Sequence, residues 1–328
     1  MKPRVSVILC TYNGARYLEE QLDSLVQQDR RPDELIVGDD GSTDGTLAIL
    51  EVFAARSPFS VRLKVNGQRL GSTENFGRAV TRATGDLVLL CDQDDVWHPS
   101  KVRTLVDALE ADPGLGGCFC DARLVDEQLR PLGRLWDSSR VGFTPKRRQA
   151  MAEGDGFRVL LDRPAVTGAC FAFRNPLPAG ILPIPPEWVH DAWISLMLAA
   201  VSRLQPVDEP LIDYRQHSGA QIGAVRRRRD PLRTRLARVS ATFEATARRL
   251  ELAADRLVTL AGVPPAVREL ARTRANHARH RAGLPRRRLA RISPVAHAVA
   301  DGRYAESGQR WTDALWDLVR PSRGRGGP

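Results

Sequence analysis

Residues Leu87 to Pro99 read LVLLCDQDDVWHP. Five residues with the composition of a buried strand run straight into three carboxylates, Asp92, Asp94 and Asp95. Two carboxylates ~5 Å apart at an effective dielectric of ~20 repel by roughly 3 kcal/mol, so a strand ending this way calls for positive charge beside it. Taken alone, such a loop is also compatible with a solvated turn, and its surroundings have to decide.

Upstream, Arg4–Cys10 is a compact apolar run followed by the turn residues Tyr12-Asn13-Gly14, and then by Leu18, Leu22, Leu25 and Val26 at helical spacing. Glu34–Gly38 is a second strand opening into DDGSTDGT, with turn residues and caps ahead of a helix over Leu47–Ala55. Val61–Val65 is a third strand, Glu74–Ala83 a short helix and Asp86–Cys91 the fourth strand. Pro99 is placed as the first helical residue before Ser100–Leu109. Strand and helix alternate through the first 110 residues, which predicts a doubly wound, mainly parallel sheet with helices on both faces. Beyond it the pattern loosens into strands at Gly116–Cys120 and Gly168–Phe173, a helix from Asp191 to Val201 and a closing strand at Leu211–Tyr214.

In such sheets ligands bind at the carboxyl ends of the strands. Three polar clusters fall there: Thr11-Tyr12-Asn13, Asp39-Asp40 and Asp92–Asp95. The first strand is followed by neither GxGxxG nor GxxxxGK[ST], which argues against a dinucleotide fold and a P-loop. Acidic side chains meet a diphosphate through a divalent cation, and hard oxygen donors suit Mn2+ or Mg2+. In an extended segment Asp92 and Asp94 project to one side.

The 328-residue chain is 42% hydrophobic and carries a net charge of +10, but unevenly. From residue 226 onward there are 24 Arg against 9 acidic residues (+15), leaving 25 Lys+Arg against 30 acidic residues (−5) in 1–225. The charge marks a boundary between a domain over 1–225 and an arginine-rich helical tail over 226–328. In that tail Leu232, Leu236, Val239, Phe243, Leu250 and Leu257 recur at helical spacing, Pro264-Pro265 opens another helix, and the final RPSRGRGGP is expected to be disordered. Five cysteines without a CxxC pair fit reduced, buried thiols. The start MKPRVSVILC suits a first strand better than a signal peptide, and the longest apolar run, near Ala192–Val201, is half a membrane span.

VSVILCTYNG, DELIVGDDGSTDGT, ATGDLVLLCDQDDVWHPSKV, HDAWISLML and YRQHSG together resemble the family 2 glycosyltransferases, and within them the rhamnosyltransferase-type members that build bacterial surface polysaccharides. The likeness spans about residues 4–222. It implies a GT-A type fold with a nucleotide-binding half over 1–115 and an acceptor-binding half over 116–225. By this resemblance Thr11, Tyr12 and Asn13 would line the nucleotide, Tyr12 by stacking on the base, and Asp40 with Asp39 would accept from base or ribose. Asp94 would be the metal ligand and Asp92 its partner nearer the ribose, with His217 near the metal and diphosphate. Asp191 would be the general base of an inverting transfer, although an Asp at a helix start is also a common cap. His190, Trp97, Thr167 and Gly168 would support the loop or the acceptor pocket, Trp97 by packing behind the DQDD turn. Glu74 stands where many relatives of this type show Lys, near the donor pocket, and Cys91 where they often carry Ser.

The resemblance implies a dTDP-L-rhamnose donor and a cell-envelope or exopolysaccharide glycan acceptor, which could be lipid-linked. The same chemistry with a UDP-hexose or UDP-N-acetylhexosamine is the alternative. A catalytically silent glycan- or nucleotide-binding module is the reading from another class. A sugar nucleotidyltransferase is disfavoured by TYNG in place of a Gly-rich basic loop. A cytoplasmic location is expected, with attachment to the inner face of the cell membrane as one use of the basic tail. Solvation by arginine and homo-oligomer contacts are its other uses, and nucleic acid is disfavoured because no aromatic residues interleave the charge.

Overall fold

The computed structural model describes residues 2–139, 141–217, 232–285, 287–306 and 311–320, with the side chains of 232–241 and 306 left aside. The chain divides into two compact units, Met1–Val225 and Arg226–Pro328.

In the first unit β1 (Val5–Thr11), α1 (Ala15–Val26), β2 (Glu34–Asp39), α2 (Thr46–Arg56), β3 (Ser60–Val65), α3 (Ser72–Val80) and β4 (Leu87–Cys91) alternate as the sequence predicts. β3, β2, β1 and β4 lie side by side and parallel. All residues of β1, β2 and β4 are buried, because helices cover both faces, and this is why their sequences are near-continuous apolar runs rather than alternating ones.

The second half is mixed, and here the sequence reading needs correction. β5 (Val96–Trp97), α4 (Lys101–Ala111), β6 (Leu115–Val125), β7 (Pro131–Arg134), α5 (Pro145–Ala152), α6 (Gly156–Asp162), β8 (Phe171–Arg174), α7 (His190–Val201) and β9 (Arg203–Arg215) follow in order. β8 enters between β4 and β6, antiparallel to both, while β6 and β9 run parallel. The closing strand is thirteen residues long rather than four. The segment expected as a strand from Gly168 begins as a 3₁₀ turn over Gly168–Cys170 and extends only from Phe171. Pro99 is not the first helical residue: Ser100 holds the N-cap position, and the Pro99 carbonyl accepts from Asp29 N at 2.9 Å. The short β5, β7, α5 and α6 carry no strong periodicity and were not legible.

The second unit contains α8 (Leu232–Thr259), α9 (Pro265–Ala282), α10 (Ile292–Ala300), α11 (Arg303–Glu306) and α12 (Trp311–Val319). Pro265 opens α9 as its sequence suggests. α8 and α9 fold back on each other, pairing Glu251 with Arg279 and Asp255 with Arg272. Buried Leu257 belongs to the predicted apolar stripe. The four arginines Arg226–Arg229, Arg286 and the segment 321–328 lie outside the described residues, as do the side chains of Leu232, Leu236 and Val239.

The amino ends of the parallel strands are tied by one carboxylate. Glu34, 3% exposed, accepts from Ser6 Oγ (2.5 Å), Thr84 N (2.7 Å) and Arg62 Nη2 (2.7 Å), linking β1, β2, β3 and the approach to β4. Burial pushes this carboxyl up, but the hydrogen bonds from Ser6 and Thr84 and the Arg62 charge outweigh it, so the group titrates below its ordinary range. A carboxyl depressed in the folded state stabilises it at neutral pH, and that contribution disappears as pH falls through the folded-state value. Glu34→Gln is therefore expected to cost about 1–3 kcal/mol at neutral pH. Urea titrations should show the gap between wild type and variant closing below about pH 4.

Candidate active site

The strand register sets the site. Thr11 lies opposite Asp39 across β1 and β2, and Leu9 opposite Cys91 across β1 and β4, so the three polar clusters emerge at one edge of the sheet. Gln93, the middle residue of the DQD triplet, clamps the first loop by accepting from Tyr12 N at 2.8 Å and donating to the Tyr12 carbonyl at 3.2 Å. The clamp needs a glycine at 14, since a Cβ there would stand 2.3 Å from Gln93 Oε1. DDGSTDGT completes the loop from the other side: Ser42 Oγ accepts from Asn13 N, Thr46 Oγ1 from Gly14 N and Asp44 Oδ2 from Ala15 N.

Across the sheet, β5 pairs antiparallel with the end of β9, Val96 opposite Asp213 and Trp97 opposite Ile212. This brings the segment after β9 onto the DQDD loop. Arg215, 2% exposed, donates from its main chain to Asp95 Oδ1 (3.0 Å) and from its guanidinium to the Asp94 carbonyl (2.9 Å), the Glu127 carbonyl (2.7 Å) and Glu20 Oε2 (2.5 Å). Two residues on, His217 Nε2 meets Asp94 Oδ2 at 2.8 Å. Beneath the loop Trp97 is 2% exposed, with Lys101 Nζ 3.3 Å from its ring centroid. Burial holds the Lys101 ammonium below its usual pKa range. Burial, with the charges of Asp94 and Asp92 beside it, pushes the Asp95 carboxyl well up. The loop thus meets its negative charge in three ways: an imidazole on Asp94, a buried guanidinium along the main chain, and a raised pKa at Asp95.

These elements wall a cleft of about 280 Å³. Of the residues singled out in the sequence, Thr11, Tyr12, Asp40, Asp92, Asp94, Thr167, Gly168, His190 and Asp191 line it. Asp39 does not belong to this lining: it is fully buried, accepting from Thr11 Oγ1, Gly41 N, Ser42 N and Ser42 Oγ, so it shapes the loop from within. Asn13 is exposed with φ 48°, and its side chain accepts from Thr43 N. Asp40 holds the far wall by accepting from Leu70 N (2.7 Å) and Gly71 N (2.8 Å). Those contacts carry Arg69, which no sequence signal singled out, to 4.0 Å from the centroid of the Tyr12 ring. Glu74 pairs with Arg78 and lines a neighbouring cavity with Leu182 and Ile184, while Asn75 and Phe76 face the cleft.

On the opposite wall Asp191 sits inside the first turn of α7, whose N-cap position is Val189. Its Oδ2 accepts from Gly168 N at 2.8 Å and its Oδ1 from Ala192 N at 2.6 Å. His190 stacks on Phe76, with ring centroids 3.9 Å apart, and burial holds its pKa below the usual range. A Cβ on Gly168 would stand 2.9 Å from His190 Nε2.

Asp92 and Asp94 line the cleft, and His217, which is not among its lining residues, bonds to Asp94, so hard oxygen and imidazole donors stand together there. Among the described residues no three His, Cys, Asp or Glu side chains converge into a metal cage. The set suits a cation of the magnesium type, which is held by one or two carboxylates plus substrate phosphates rather than by an all-protein cage.

Three comparisons bear on this cleft. The model of the family described as Glycosyl transferase family 2 matches residues 6–173. An uncharacterized protein of Mycobacterium tuberculosis is 28% identical over 250 residues, 74% of this chain and 67% of its own length. The dTDP-rhamnosyl transferase RfbG of Shigella flexneri is 32% identical over 105 residues, 31% of this chain and 36% of the relative. Among solved structures, S. aureus TarS 1-349 in complex with UDP-GlcNAc superposes with a TM-score of 0.57 at 18% identity, covering 96% of this chain and 80% of that one. That likeness is one of fold and matches the GT-A architecture.

Two outcomes follow from the geometry. Arg215→Met should lower stability by about 3 kcal/mol, read by urea denaturation, because several charge-assisted bonds and their buried acceptors lose their partner. Gly168→Ala should reduce turnover by about tenfold or more in protein that still folds, with some loss of melting temperature, since it displaces the buried His190 ring beside Asp191.

Proposed function

The chain belongs to glycosyl transferase family 2 and is a glycosyltransferase, and from that premise we propose that it performs a metal-assisted, inverting sugar transfer in the cleft between the β1, β2 and β4 ends and the start of α7. The observation that carries the reading is that Asp92, Asp94 and Asp191 line one cavity, with His217 bonded to Asp94.

The half over 1–115 takes the nucleotide, with Thr11 and Tyr12 on the base and Asp40 and Asp92 toward the ribose. Arg69 stands over Tyr12 and adds a cation on the donor side. Asp94 and His217 would hold Mn2+ or Mg2+, and the cation would supply neutralisation of the charge that develops on the leaving diphosphate. The half over 116–225 takes the acceptor. Asp191, oriented by Gly168 N, accepts the proton of the attacking hydroxyl as the new bond forms on the face opposite the departing diphosphate, so the anomeric configuration inverts. The donor we favour is dTDP-L-rhamnose, supported by the dTDP-rhamnosyl transferase among the relatives. The acceptor we favour is a cell-envelope or exopolysaccharide glycan.

Calorimetric titration of dTDP, UDP and GDP, each with and without Mn2+, tests the donor side. Manganese-dependent binding of dTDP alone is the expected outcome. Binding of UDP in its place would move the donor to a UDP-sugar, and binding of none by folded protein would remove the reading. Asp94→Ala should abolish the manganese dependence of nucleotide binding. Asp191→Asn keeps an acceptor oxygen for one of the two N–H groups it now serves. It should lower transfer by about 10²–10⁴-fold with nucleotide affinity unchanged, and an active variant would reduce Asp191 to a structural role.

A further inference from the structure

The last helix of the second unit is inside out. Along α12 the buried positions are Ala314 and Asp317, whereas Trp311, Leu315, Trp316 and Val319 are 71%, 51%, 48% and 56% exposed. α10 behaves alike: Val295 and Ala298 pack inward with Tyr304 and Ala314, while Ile292 and Val299 are 54% and 49% exposed, and Leu289, just before the helix, is 82% exposed. Among the described residues of the first unit the exposed large apolar side chains are Val52, Val65, Leu129 and Leu132. An apolar face shared by two adjoining helices marks an interaction surface.

The orientation is fixed by charge. Asp317 is fully buried and receives Arg281 Nε at 2.6 Å, Arg281 Nη2 at 3.0 Å and the Tyr304 hydroxyl at 2.8 Å, with Arg320 Nε at 3.3 Å. Arg291 Nη1 adds bonds to the Asp317 and Arg320 carbonyls at 3.1 and 2.6 Å. Turning α12 to bury its tryptophans would pull Asp317 from these partners and leave buried arginines unpaired, at a cost of several kcal/mol. The polar core therefore keeps the apolar stripe outside.

What covers the stripe is decided by its rim. Arg287 and Arg288 are exposed in the chain that leads into Leu289, while Arg303 is paired with Asp301, in a unit with 24 Arg and 9 acidic residues. Two copies meeting through this face would bring two such charges together, whereas an anionic surface complements them. Exposed tryptophans on a short amphipathic helix, in a unit of net positive charge, suit a segment that lies in the headgroup layer of a bilayer. Among the described residues no helix is long and apolar enough to cross a membrane, so the helices would lie on it.

We propose that α10 and α12 form a membrane-docking face, with Trp311, Leu315, Trp316 and Val319 inserted among the acyl chains of an anionic bilayer and the flanking arginines on lipid phosphates. Flotation of the full chain with phosphatidylglycerol-containing vesicles and with pure phosphatidylcholine vesicles tests it. Wild type should float with the first, only weakly with the second, and Trp311→Ser/Trp316→Ser should lower the partition coefficient by about tenfold or more. The melting curve and nucleotide titration of the variant serve as folding controls; should it fail them, Val299→Asp on α10 carries the same test. Absence of flotation by folded wild type, or equal flotation of the variants, overturns the proposal. So does light scattering that finds a dimer dissolved by the tryptophan substitutions, which would assign the face to a second copy.

Discussion

The two-residue pairing of β5 with the end of β9 is the constraint on which the catalytic unit depends. Together with the parallel pairing of β6 on its other side, it lays the chain from Asp213 to His217 across the loop that follows β4, where Arg215 and His217 reach carboxyl groups some 120 positions away in sequence. Without it the loop would hold three carboxylates on a strand end with only the buried Lys101 ammonium beneath them. Arg215 acts mainly on the main chain, satisfying the Asp94 and Glu127 carbonyls and presenting its own N–H to Asp95. That leaves the Asp94 carboxylate turned to His217 and the cleft.

Charge is separated by depth in this loop. Asp95 is buried and its carboxyl is pushed up, so it behaves as part of the packing, while Asp92 and Asp94 line the cavity. DDGSTDGT divides in the same manner: Asp39 spends its oxygens on Thr11, Gly41 and Ser42, and Asp40 uses its own to hold the wall that bears Arg69. In each acidic cluster one residue, Asp39 or Asp95, is buried in the loop while its neighbours line the cleft. A rigid first loop, clamped by Gln93, is what lets a short acidic segment present a fixed geometry.

The second unit uses buried charge for another purpose. An apolar core replacing the Asp317–Arg281 pair would be at least as stable by itself, so the pair matters for the orientation it imposes on α12. Catalytic and helical units both hold polar groups inside in order to decide what remains outside.

The sequence by itself determined the alternating half of the fold, because each of its strands and helices carries a complete local pattern: continuous apolar runs in β1, β2 and β4, and helical spacing in α1 and α4. It also determined which edge of the sheet is chemical, since parallel strands must end together and the polar clusters follow their ends. HDAW singled out Asp191, which lines the cleft, and YRQHSG singled out His217, which bonds to Asp94. Tertiary structure alone decided which acidic residue of each pair faces the cleft, for Asp39 and Asp40 are identical neighbours distinguished only by their hydrogen-bond partners. It alone placed Arg69 and Gln93, whose roles rest on contacts with Tyr12. It also inverted α12, where local periodicity allows either face to turn inward and the partners of Asp317 choose between them. Local pattern fixes where a side chain stands along its own element; only the packing of distant segments fixes what it meets.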